Sequence, residues 1–309
     1  MYNPDLLKQQ YEQLENGKVR ISGMYESIKQ ADENNDVPFQ LYFRIELCDE
    51  SDWYADSLDM FVVFPKLLAL GDKHPDAPST VYNNNYENAM AHILWVYKWL
   101  LNDCSEFYQI SKADWEMFLE DFKKITVAFG YSLREYYNYK EAYYSYFGDN
   151  ELAKKYFELF RNAPRNRNSD CKACDQLEIV KKYLNNNELE KAQREAVVLE
   201  TRQLSCGNSH SWLRLQNAYM CYYMRNKEFD KIEKYIRLIH RYDNGEIEFD
   251  ISDEEILYYS YTDISKALKI YKREWKEWLT QKILMIGSMT EKEYVYSLKN
   301  LWKVERQIQ

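Results

Sequence analysis

Gly148-Asp149-Asn150-Glu151-Leu152-Ala153-Lys154-Lys155-Tyr156-Phe157 is the stretch from which the fold can be read. The Gly-Asp pair punctuates the chain as a tight turn, and Ala153 and Phe157 then fall four residues apart on one helical face. The arrangement returns at Asn187-Glu188 with Ala192 and Ala196, and again at Asn226-Lys227 with Ile232 and Ile236. From Ala153 to Ala192 is 39 residues and from Ala192 to Ile232 is 40. Self-similarity at this period signals stacked helical hairpins, each too small to bury its own apolar face alone.

Outward from these hairpins, apolar residues keep helical spacing almost throughout, and no long segment alternates with the period of two of a half-buried strand. The spacing predicts helices over 52–70, 82–102, 175–185, 188–203, 253–271, 272–285 and 291–307, among others, with most of them pairing into hairpins. Pro65 is placed to kink its helix, Gly71 to Pro78 reads as a turn-rich loop, and Pro164 opens a long loop to Cys171. Eight glycines and six prolines in 309 residues are too few for a turn-rich sheet fold. The 29 tyrosines suit the spaces between neighbouring helices, and Tyr136, Tyr139, Tyr143 and Tyr146 form such a seam at spacings of three and four. We therefore expect an all-α chain, a right-handed solenoid of antiparallel hairpins forming one domain over 1–309. Its parts are N-terminal hairpins over 1–130, three repeats over 131–241 and C-terminal helices over 242–309.

The Gly148 to Phe157 run resembles the second half of a tetratricopeptide repeat, in which a small residue marks the crossing of helix B over helix A. Tyr144, Tyr183 and Tyr223 stand where that repeat favours an aromatic. The usual tryptophan and glycine of helix A and the terminal proline are missing, and the period exceeds the usual 34. Over roughly 38–240 the chain is similar to a group of bacterial tetratricopeptide-like proteins without an assigned activity. The residues that carry this likeness are Arg44-Ile45-Glu46-Leu47, Leu67-Leu68-Ala69-Leu70, Leu94-Trp95-Val96-Tyr97-Lys98-Trp99 and Asp170-Cys171-Lys172-Ala173-Cys174, with Cys206 downstream. Carried over position by position, the tetratricopeptide pattern places Asn138, Lys181 and Asn217 on a groove that holds a peptide, with amide and ammonium groups for its backbone or carboxylate.

The densest chemistry lies between Cys171 and His210. Cys171 and Cys174 form a C-x-x-C pair, and Cys206 and His210 a C-x-x-x-H pair, in a chain with six cysteines and four histidines. Each pair sits at the start of the first helix of its hairpin, where short spacing aims both side chains at one point and the helix amino end favours thiolate. Three thiolates and an imidazole make a closed tetrahedral zinc shell, which is structural because no position stays open for water or substrate. Thiols without metal and a redox-active pair are the alternatives. A zinc deaminase is excluded, since Asp170 precedes Cys171 where that motif needs proline and no His-x-Glu exists. Cys48, Cys104 and Cys221 are isolated and read as packing residues.

Composition narrows the function further. The formal charge of -9 disfavours a nucleic-acid binder, and the basic stretch from Arg161 to Lys172 reads as a solvated loop. There is no phosphate-binding glycine loop, no H-E-x-x-H and no paired E-x-x-H. His92 reads as an interior histidine and His240 as a helix-terminal one. The amino-terminal residues do not begin a signal peptide, and no apolar run approaches the ~20 residues of a membrane helix. The expectation is a cytoplasmic, non-catalytic scaffold that binds a protein or peptide, carries structural zinc and touches neither nucleic acid nor membrane. A zinc- or thiol-dependent sensor is the alternative, and an enzyme with an unrecognised site a more distant one.

Overall fold

The computed structural model describes residues 2–52, 58–77, 88–107, 109–207, 210–242 and 251–273. Every regular element among them is helical. The chain divides into two compact units, Met1–Ser169 and Asp170–Gln309.

The first unit contains α1 (Pro4–Glu12), α2 (Lys18–Glu33), α3 (Val37–Glu50), α4 (Asp59–Lys73), α5 (Ala89–Asp103), α6 (Lys112–Ala128), α7 (Arg134–Tyr146) and α8 (Asn150–Asn162). Each helix packs on the next. Helix α3 also packs on α5, and this enclosure explains why Phe39, Leu41, Tyr42, Phe43, Ile45 and Leu47 are all buried around its circumference. Burying each such side chain contributes roughly 1.5–3 kcal/mol. Inside this core the Arg44 guanidinium donates to Asp32 Oδ2 at 2.7 Å. The tyrosine seam packs α7 on α6: Trp115 meets Tyr143 edge-on at 5.5 Å and Phe122 meets Tyr139 at 6.1 Å. Tyr146, at the end of the seam, is exposed.

The second unit contains α9 (Lys172–Asn185), α10 (Leu189–Glu200), α11 (Ser211–Arg225), a 3-10 turn over Phe229–Lys231, α12 (Glu233–Tyr242) and α13 (Ser252–Thr262), followed by helix over 264–273. Helix α9 packs against α10 and against α11, and α11 packs against α12. His240 near the end of α12 meets Glu255 Oε1 at 2.8 Å.

The 39 and 40-residue steps are visible in the backbone itself. Gly148, Asn187 and Lys227 each adopt left-handed backbone, with φ of 77°, 61° and 58°. The residue after each one donates its N–H to the carbonyl five back: Asp149 to Tyr144, Glu188 to Tyr183 and Glu228 to Tyr223, all at 2.9 Å. This is the Schellman ending of a helix, which satisfies terminal carbonyls and reverses the chain. Beyond the turns, Ala153, Ala192 and Ile232 are buried, as are Phe157, Ala196 and Ile236, and Phe160, Leu199 and Ile239. The tyrosine before the turn stacks on one in the next helix in two hairpins, Tyr144 on Tyr156 at 5.4 Å and Tyr223 on Tyr235 at 5.8 Å.

Several elements differ from their sequence expectation for identifiable reasons. The third turn pivots on Lys227, one residue beyond Asn226, whose amide instead donates to Tyr222 O at 3.0 Å. Gly71 lies inside α4 rather than opening a loop, because α4 and α5 approach so closely that a Cβ there would run into Met90 Sδ and Ile93 Cδ1. Pro65 also sits inside α4. Helix α9 begins at Lys172 rather than 175, since Cys171 caps it. The span 253–271 is two helices broken at Asp263, whose carboxylate accepts the N–H of Lys266 at 3.1 Å and so starts the second one. The helix expected over 291–307 and most of that over 272–285 lie outside the described residues.

Candidate metal centre

The sulfur cluster of the second unit is built from two helix starts. Cys171 is the N-cap of α9, with extended backbone at φ −61° and ψ 158°, and its Sγ accepts the N–H of Cys174 at 3.4 Å. One sequence feature therefore does two jobs: the spacing of three that suits a metal also places Cys174 at the N3 amide that a cap reaches. Cys206 stands ahead of α11, where its N–H donates to Ser211 Oγ at 3.1 Å and its carbonyl accepts the N–H of Ser211 at 3.4 Å. Because α9 and α11 pack side by side, their starts fall together.

As a result the Sγ atoms of Cys171, Cys174 and Cys206 all lie within 4.8 Å of one another. A tetrahedral zinc with bonds of about 2.3 Å spaces its sulfurs ~3.8 Å apart. Closing the trio onto such an ion therefore takes at most about 1 Å per contact. The donor set fits a thiophilic ion, and Cys171 is exposed while Cys174 and Cys206 are half-buried, so the ion has a path in. None of the six cysteines, all among the described residues, is in a disulfide.

His210 stands outside this trio. It caps α11 in a left-handed conformation, φ 46° and ψ 45°, and its N–H donates to Gly207 O at 3.3 Å. Left-handed backbone costs a non-glycine residue roughly 1–2 kcal/mol. Here it redirects the chain from the Cys206 loop into α11.

No family model, curated protein or solved structure matches the chain. What the cluster can do is therefore argued from its own geometry, and the remaining cysteines make the contrast. Cys48 and Cys104 are buried in the first unit, and burial pushes both thiols up, with Asp49 and Asp103 respectively adding to it. Burial likewise pushes the Cys221 thiol up to about 11. Protonated, enclosed sulfur is suited to packing and poorly suited to metal.

Two of the residues assigned to a peptide groove come together. Lys181 of α9 and Asn217 of α11 line one surface pocket of about 350 Å³, along with Asn185, Arg214, Cys221 and Arg225. Asn138 belongs to α7 in the first unit, where its Oδ1 is buried without a hydrogen-bond partner among the described residues. Arg214 and Arg225 were not foreseen, although 214, 217, 221 and 225 share one face of a helix by their spacing. Among the described residues no helix is long and apolar enough to cross a membrane.

Proposed function

We propose that this chain is a non-catalytic scaffold of tetratricopeptide type, a right-handed solenoid of hairpins that binds a protein or peptide along its first helices. The observation that carries this reading is the side-by-side packing of α9 and α11, the first helices of successive hairpins, with a pocket of mixed polar and apolar lining between them. The turns at Gly148, Asn187 and Lys227 support the repeat. Titration of the purified protein against peptides of varied charge is the test. Turnover of a small molecule without any peptide binding would replace the scaffold by an enzyme.

In this reading zinc is held by Cys171, Cys174 and Cys206, and His210, which lies outside their cluster, would have to turn toward it to complete the set. A bound ion supplies a cross-link between the starts of α9 and α11 and no chemistry on a substrate. Elemental analysis is expected to find about one zinc per chain, lost in Cys171→Ser; a metal-free wild type with full stability removes the assignment.

The exposure of Cys171 favours a second reading, a thiol- or zinc-dependent sensor in which oxidation at the cluster loosens the α9–α11 contact. Peptide affinity that is the same before and after complete metal removal argues for the static scaffold.

A further inference from the structure

We infer that the metal position at Cys171, Cys174 and Cys206 keeps its fourth coordination place open to exchange, and that a histidine side chain of a binding partner fills it. This rests on the zinc and scaffold readings and names how a partner would engage them.

The chain itself brings three donors together. The ligand atoms that lie within 4.8 Å of one another are the sulfurs of Cys171, Cys174 and Cys206, and among the described residues no histidine nitrogen or carboxylate joins them. His210 stays out although it is only four residues from Cys206, and its backbone bonds show what holds it. Its N–H donates to Gly207 O at 3.3 Å, and its carbonyl accepts the N–H of Arg214 at 3.1 Å. The next residue, Ser211, is bonded both ways to Cys206. With the backbone pinned on each side, rotation of the side chain alone is left to bring the ring in. A zinc–nitrogen bond of about 2 Å is met only by a ring that comes right up to the ion. Three protein donors with the fourth place left to an exchangeable ligand is the arrangement of open zinc sites.

An incoming side chain has room beside the sulfurs. Cys171 is exposed. Gly207, next to Cys206, is exposed as well, and a Cβ there would meet nothing within 4 Å. Charge then selects the type of donor. Three thiolates around a divalent ion already leave one negative charge in excess, in a chain whose formal charge is -9. A fourth thiolate or a carboxylate adds another, whereas neutral imidazole adds none and is a good zinc ligand. Position selects the source. The sulfurs sit at the starts of α9 and α11, the two helices along which the scaffold reading lays a peptide, so a segment that reaches those starts meets the ion. The exchange forms one zinc–nitrogen bond as the water or His210 imidazole held there leaves, and no electron is transferred.

The test loads the full chain with cobalt(II) in place of zinc, with a phosphine as reductant so that no added thiol competes, and follows the visible bands of the ion. Imidazole and a Gly-Ser hexapeptide with one central histidine are expected to shift the bands saturably, the peptide at about tenfold or more lower concentration. The same peptide with alanine for histidine should leave them unmoved. His210→Asn, chosen because asparagine tolerates left-handed backbone, should take up both donors at least as tightly as the wild type; circular dichroism checks that it stays helical. Bands that neither donor moves in the wild type overturn the inference and leave the zinc reading standing, and movement in His210→Asn alone identifies His210 as the seal. Free imidazole that binds as tightly as the histidine peptide overturns the assignment to a partner. A wild-type chain that takes up neither cobalt nor zinc overturns the zinc reading and this inference with it.

Discussion

Ser132 ahead of α7 and Cys171 ahead of α9 stand 39 residues apart, at the same place in two hairpins, and each is tied by different chemistry to the loop that follows its own hairpin. In the first unit the tie is made of ordinary hydrogen bonds: Ser132 Oγ donates to Pro164 O, and the Asn166 amide donates to Ser132 O at 3.1 Å and to Ser132 Oγ at 2.9 Å. Arg134 adds to it by donating to Phe160 O at 2.8 Å and Ala163 O at 2.9 Å, which caps the end of α8. In the second unit Cys206 comes up to Cys171 and Cys174 with sulfur facing sulfur. Thiols are weak donors and weak acceptors, so proximity alone stabilises this junction far less than the oxygen and nitrogen version. The comparison teaches that the first junction is complete as it stands, while the second is one that the proposed ion would strengthen.

The largest effect expected from this difference is on metal response. With free zinc at ~1,000 times its Kd, the loaded protein should be more stable by about 4 kcal/mol, read as a rise in thermal midpoint that a chelator reverses. Cys171→Ser should abolish that rise, and Ser132→Ala should leave it intact. A midpoint that zinc does not move in the wild type would break the contrast between the two junctions.

A smaller effect is expected in the first unit. Asn166→Ala removes both amide bonds to Ser132 and should cost about 1–3 kcal/mol in denaturant unfolding, equally with and without zinc. If the loss depends on zinc, the two junctions are not independent.

The smallest concerns the turns, where the two units use different residues for one conformation. Lys227→Gly relieves left-handed strain and should stabilise by about 0.5–1 kcal/mol, whereas Gly148→Ala should cost about 1 kcal/mol. Denaturant midpoints that move in the same direction for both would contradict the shared turn geometry.

The turns and the helical faces behind them were legible in the sequence because local rules set them: a turn residue, then buried positions at 153, 157 and 160 and their equivalents. The sulfur cluster was legible because cysteine is rare in this chain and its spacings are short. Gly71 was misread because a close helix crossing and a loop both select glycine, and only the position of Met90 and Ile93 across the interface separates them. The break at Asp263 was hidden because apolar periodicity runs through it, while the side-chain cap that enforces it is a single contact. The ties of Ser132 to Pro164 and Asn166 run through irregular backbone, where spacing carries no period to follow.

From equivalent positions at the entry to the first helix to the last buried position of the second, the three hairpins have the same length: Ser132 to Phe160, Cys171 to Leu199 and Ser211 to Ile239. The residue that lengthens the second step to 40 falls between Leu199 and Ser211, in the stretch that carries Cys206. For a gene copied with errors, the hairpins are words of fixed length and this stretch is the spacing between them. Triplets gained within a helix of 171–199 shift the core positions that follow in that helix off their face. Those gained between 200 and 205 leave the faces in register, so the chain can change length just ahead of Cys206 without disturbing its core.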